Sequence, residues 1–217
     1  MSDFLYPFLK GEAADVDVLL DDLATSARAK AADSCQLQSD TVDRERTRLE
    51  AQAGAMAEHF DQGARLFTFG NGGSSTDATS IAALFSSPPW GTPLPAHALV
   101  ADSAVLTALG NDVGFDLVFS RQLIAYAATG DIAVGLSTSG NSRNLLFAFA
   151  EARTRRMLTI GFAGYDGGDM GRSDDVQHCF VVASDSVHRI QEAHGALAFA
   201  LWSAVQDHLA SFGAERV

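Results

Sequence analysis

From residue 63 onward, short apolar runs rich in β-branched and aromatic residues alternate with stretches of helical periodicity. No other feature limits the fold as strongly. Runs at 65–69, 96–100, 132–136, 157–162 and 179–182 read as strands, and helical patterns follow at 74–86, 103–109, 142–155 and 186–210. Strands separated by helix-length segments cannot form tight hairpins. They pair in parallel through right-handed crossovers, which predicts an α/β domain around a parallel sheet. The loop at 88–95 holds four of the five prolines and reads as a connector.

Residues 12–62 have a different texture. They contain no proline and one glycine, Gly54, and their apolar residues recur at helical spacing: Val16, Leu19, Leu20, Leu23 and Ala27, then Leu37, Val42, Leu49, Met56 and Phe60. This pattern predicts one or two long helices with a break near Asp33-Ser34. The charge-dense stretch 43–50 reads as a solvated helix face. The chain thus divides into a helical region, 1–62, and an α/β domain, 63–217. An apolar stripe this long needs a partner, which points to self-association.

Composition excludes several function classes. The formal net charge of -12 argues against a surface built for nucleic acid, yet a few local donors can still hold a small anion. The two cysteines, Cys35 and Cys179, have no metal-ligand spacing and read as reduced thiols of a cytoplasmic protein. The first twenty residues lack a basic region followed by an apolar core, so no secretory leader is expected. No window reaches membrane-span length.

In open α/β sheets, ligands bind beyond the C-terminal strand ends. Two such ends are chemically marked here. The first is GNGGSSTD, 70–77, whose glycines permit positive φ and close backbone approach. The second is STSGNS, 137–142, with four hydroxyls where a helix begins. There the hydroxyl donors, the free N–H groups of the first turn and the helix dipole converge, which suits a phosphate monoester without a lysine. Ser142 as an ordinary N-cap would explain one hydroxyl, not four. No G-K-[ST] follows, so this is not a Walker loop, and GNGGSS does not match G-x-G-x-x-G.

Six ordered motifs resemble the sugar isomerase (SIS) domains: GNGGS (70–74), GND (110–112) with Gly114-Phe115, FSR (119–121), STSGNS (137–142), YDGG (165–168) and RIQE (189–192). The subgroup they resemble is the phosphoheptose isomerases and their relatives, including the DnaA initiator-associating protein DiaA. The resemblance covers about residues 40–210. It implies a three-layer α/β/α sandwich with a flavodoxin-like parallel sheet, an N-terminal helical hairpin and a homotetramer. It also implies a phosphate cradle of Ser137, Thr138, Ser139 and Ser142. Asn71, Gly72, Gly73 and Ser74 would line the sugar end, with Asn111, Asp112 and Gln191.

Aldose–ketose isomerisation moves a proton between C1 and C2 and needs an acid and a base. In active phosphoheptose isomerases the helix after GNGGS carries a histidine and, one turn on, a glutamate. The C-terminal helix carries a glutamine and, two turns on, a histidine. Several members bind zinc through these groups. The matching residues here are Ser80, Leu84, Gln191 and Phe199, so three of the four groups are replaced and zinc is not expected. Glu192, His194 and Asp77 are the candidate replacements, with His188 nearby. The ordinary readings are a helix-start carboxylate for Glu192, a partly buried histidine for His194 and an N-cap for Asp77. His59, His97, His178 and His208 lie outside the motifs.

Three functions follow. One is a phosphosugar-binding protein that has lost the standard reactive centre. Another is an active sedoheptulose 7-phosphate isomerase with a relocated acid and base. The third is a DiaA-like scaffold for a regulatory protein partner.

Overall fold

The structure is a computed structural model that describes residues 16–215. The reading of the first residues as lacking a leader falls mostly outside this range. Five parallel strands, β1 (Leu66–Gly70), β2 (Ala96–Ala98), β3 (Ile132–Ser137), β4 (Leu158–Gly164) and β5 (His178–Val182), form one sheet in the order β2-β1-β3-β4-β5. That is the expected flavodoxin-like order. The helices are α1 (Val16–Asp61), α2 (Gly73–Ser86), α3 (Ser103–Asp112), α4 (Val118–Tyr126), α5 (Arg143–Thr154) and α6 (Val187–Glu215). Among the described residues no helix is long and apolar enough to cross a membrane.

Strand alternation sends side chains to two cores. Leu66, Ile132, Val134, Leu136, Ile160 and Phe162 pack with α1, α2 and α6 around Met56, Phe85 and Trp202. Phe67, Phe69 and Ala133 pack on the other face with α4 and α5 around Phe119, Leu123 and Phe149. The sheet therefore sits between two helical layers.

Three expectations need correction. Among the described residues the N-terminal region is not a hairpin: α1 runs without a break, and its partner is α6. Asp33 and Ser34 do not end the helix but tie it down, with Asp33 paired to Arg189 at 3.1 Å and the Ser34 hydroxyl donating to Glu192. Nor is the charge-dense stretch only a solvated face. Glu45 is buried between Arg44 and Arg48, and the Arg44 guanidinium donates to the Val181 carbonyl at the sheet edge. Helix α4 was absent from the sequence reading. It starts after Gly114 (φ 97°) at Leu117, which offers no capping side chain.

Candidate functional site

Strands β1 and β3 lie side by side with Gly70 level with Leu136. The sheet order reverses its direction of growth between these two strands, so a crevice opens at their C-terminal ends. Both marked turns therefore meet there, GNGGS after β1 and STSGNS at the end of β3.

The hydroxyl turn does not cap its helix in the usual way. Ser142 occupies the N-cap position of α5, yet its side chain makes no capping bond. Its Oγ instead lies 2.9 Å from Ser137 Oγ, which is 3.4 Å from Ser139 Oγ. The backbone N–H groups that begin α5 are thus left without the usual serine acceptor, and they point the positive end of the helix dipole at the same space. Gly140 sits at φ 66°, and a β-carbon there would stand 2.0 Å from the Gly167 carbonyl oxygen. The two residues after YDGG are seated on the turn: Met170 N–H donates to Gly140 O, and Asp169 N–H donates to Asn141 Oδ1.

On the other side of the crevice, Asn71 faces Asn144. Each amide donates to the other, both at 2.9 Å, and Asn144 is buried. The sequence reading placed Asn71 at the sugar, but its side chain is engaged in fixing β1 to α5. Asn144 was missed, because an asparagine in a first helical turn looks like local capping chemistry. We expect Asn144→Ala to lower the unfolding free energy by about 1–3 kcal/mol through the orphaned Asn71 amide, measured by urea denaturation.

Gly73 begins α2, and a β-carbon on it would stand 2.3 Å from Gln191 Nε2. Its absence lets Gln191 reach across and donate to Asp77 Oδ2 at 3.1 Å. Burial raises the Asp77 carboxyl above the usual range, and the Gln191 bond partly offsets this. Asp77 is in the second turn of α2 and is not an N-cap; Gly72 holds that position. Ser74 is buried beneath the turn.

The remaining candidates lie elsewhere. Glu192 turns to Ser34 on α1, away from Gln191's partner. His194 is fully buried rather than partly exposed. It donates through Nε2 to the Ala163 carbonyl at 3.0 Å, and burial holds its pKa down at about 4. Asn111 and Asp112 bond to each other at the exposed end of α3. Both cysteines are free thiols, and burial, with Glu45 adding to it, pushes Cys179 up to about 12.

Comparison with known proteins decides the family. The SIS domain family matches residues 31–164, starting inside α1. The phosphoheptose isomerase of Geobacter metallireducens is 46% identical over 160 residues, 71% of this chain and 82% of that protein. The Aquifex aeolicus enzyme is 40% identical over 157 residues, 71% and 81% of the two chains. The chain belongs to the phosphoheptose isomerase family of SIS-domain proteins. Solved structures agree. The phosphoheptose isomerase of Neisseria gonorrhoeae superposes with a TM-score of 0.78 at 34% identity, covering 85% of this chain and 99% of that one. The Francisella tularensis protein gives 0.77 at 29% identity, covering 87% and 98%.

Within this family member, Ser80 is exposed on α2, Leu84 is half-buried one turn on, and Phe199 is 51% exposed on α6 with its ring 5.3 Å from that of Trp202. A hydroxyl, an isobutyl and a benzyl group do not make a zinc donor set. Among the described residues no three of His, Cys, Asp and Glu come together as a metal site.

Proposed function

We propose that this SIS-domain protein binds a phosphorylated sugar through the Ser137, Thr138, Ser139 and Ser142 cradle without the reactive centre of an isomerase. The observation that carries this is Ser142. A serine at an N-cap position that makes no capping bond, and instead joins a hydroxyl cluster at a helix start, serves a ligand better than it serves the helix. The phosphate would take the hydroxyls and the α5 N–H groups, and the sugar would extend toward Gln191 and Asp77. Leu84 and Phe199 can neither accept nor donate a proton. We propose accordingly that the protein uses no metal, works in the cytoplasm and senses or sequesters its ligand. The exposed Val18, Leu19, Leu20 and Leu23 on α1 support a homo-oligomer, which we read as a tetramer.

A second reading has its own observation. Asp77 is half-buried with a raised pKa and a partner at the crevice, which is how a general base is tuned. Under that reading the protein remains a sedoheptulose 7-phosphate isomerase with a replaced base.

Binding tests the cradle. Ser139→Ala and Ser142→Ala should each weaken affinity for sedoheptulose 7-phosphate by about 1–2 kcal/mol, the scale of a hydrogen bond to a charged group. Calorimetric titration measures this, with the unphosphorylated sugar as control. Equal affinity for the two sugars would remove the cradle.

A further inference from the structure

A cluster of cationic and amide side chains lies at the opposite end of the sheet from the hydroxyl turn. Gly130 precedes β3, Arg156 and Met157 precede β4, and Gln177 precedes β5, so these residues cluster at the N-terminal strand ends. Of these, Arg156, Met157 and Gln177 line, with His59 and Arg153, a cavity of about 360 Å³ floored by buried Met157 and Leu158.

The chemistry of this cavity is one-sided. The run Arg153-Thr154-Arg155-Arg156 ends α5 with three guanidinium groups. Arg155 is spent on Glu151 at 2.6 Å and on the Ala127 carbonyl at 3.1 Å. Arg153 and Arg156 have no acidic partner among the described residues, in a chain with a net charge of -12. Gln177 accepts from Thr159 N–H through Oε1, which fixes its amide and leaves its NH₂ unspent. The His59 Nδ1–H donates to the Gly130 carbonyl, which orients the ring.

The backbone supplies the second, independent observation. Helix α5 ends in a Schellman motif, with Met157 N–H donating to Ala152 O and Arg156 N–H to Arg153 O. Arg156 therefore holds the left-handed position, at φ 59°, where glycine is the usual residue. The helix dipole accounts for cations in the last turn. It does not account for a β-carbon held in a disfavoured conformation to carry one. Such an outlier is a reason to look for a function of the side chain it carries.

We propose that Arg153, Arg156 and Gln177 form a second binding site, for the phosphoryl group of a small phosphorylated molecule. Two guanidinium forks match the geometry of a phosphate dianion. The cavity is open to solvent, and its volume lies at the low end for small-ligand pockets. The chain's net charge of -12 disfavours a polyanion. This site is separate from the hydroxyl cradle and does not rest on it.

The test is calorimetric titration with inorganic phosphate, on the wild-type protein, the double variant Arg153→Gln/Arg156→Gln and the double variant Ser139→Ala/Ser142→Ala. Two classes of site are expected. The arginine variant should lose one class, by tenfold or more in affinity, and the serine variant the other. Arg156→Gly gives an independent readout. It relieves the strained backbone, so the melting temperature should rise by a few degrees while the arginine-dependent binding falls. The proposal is overturned if wild-type protein has one class of phosphate site that disappears with the serines, or if either arginine variant binds phosphate as the wild type does. A failed cradle would instead remove only the serine-dependent class.

Discussion

Gly140→Ala is expected to abolish phosphosugar binding and to lower the melting temperature by about 6–12 °C. A β-carbon at this position would stand 2.0 Å from the Gly167 carbonyl oxygen and 2.6 Å from its carbon, so backbone must move. The φ of 66° adds its own penalty. Together these exceed about 3 kcal/mol, and a chain of this size loses roughly 2–4 °C per kcal/mol. The displaced segment runs from Gly167 to Met170, and its Asp169 and Met170 N–H groups hold Asn141 and Gly140 in place, so the cradle opens as the fold weakens. Gly63→Ala is the control, since its φ is 88° and nothing lies within 4 Å of the added carbon. It should cost about 1–2 kcal/mol, from conformation alone. Thermal scans and ligand titrations of both variants measure the difference. Equal losses in the two would mean that the Gly140–Gly167 contact does not shape the cradle.

The second large effect is acid instability from His194. Its ring is neutral and buried in the fold, with a pKa of about 4, against 6.5 in an unfolded chain. Between these values the unfolded state holds more protons than the folded state. Stability is therefore full above pH 6.5, falls as pH drops toward 4 and levels off below. The loss is about 3 kcal/mol, at 1.36 kcal/mol per pH unit of difference. His178, also lowered by burial, works in the same direction. The raised Asp77 carboxyl works in the opposite sense. Urea denaturation at pH 7 and pH 4.5 should show the loss in the wild type and a much smaller one in His194→Gln. A wild-type slope as shallow as the variant's would contradict this account of the buried ring.

The sheet was legible because its signal is local. The central strands β1, β3 and β4 are apolar runs buried on both faces, and the intervening lengths demand crossovers. The hydroxyl turn was legible because four side chains exceeded what one helix cap can use. What sequence could not give were relationships across the chain. Asn144 looks like turn chemistry until Asn71, 73 residues away, is opposite it. Asp33 and Ser34 resemble a helix break until α6 brings Arg189 and Glu192 against them. Glu45 reads as surface charge until the fold buries it between Arg44 and Arg48. His194 and Glu192 sit two residues apart on α6 yet face the core and α1, a helical difference that motif matching does not weigh. Helix α4 was missed because it is short and begins without a polar cap.

The central claim is a phosphate grip without isomerase chemistry. The most direct test is incubation with sedoheptulose 7-phosphate in deuterium oxide, followed by NMR at C1, because proton exchange reveals a working base even when turnover is slow. The account predicts line broadening of the sugar phosphate, which reports binding, and no deuterium at C1. Deuterium incorporation would contradict it, and its disappearance in Asp77→Asn would assign the base to Asp77.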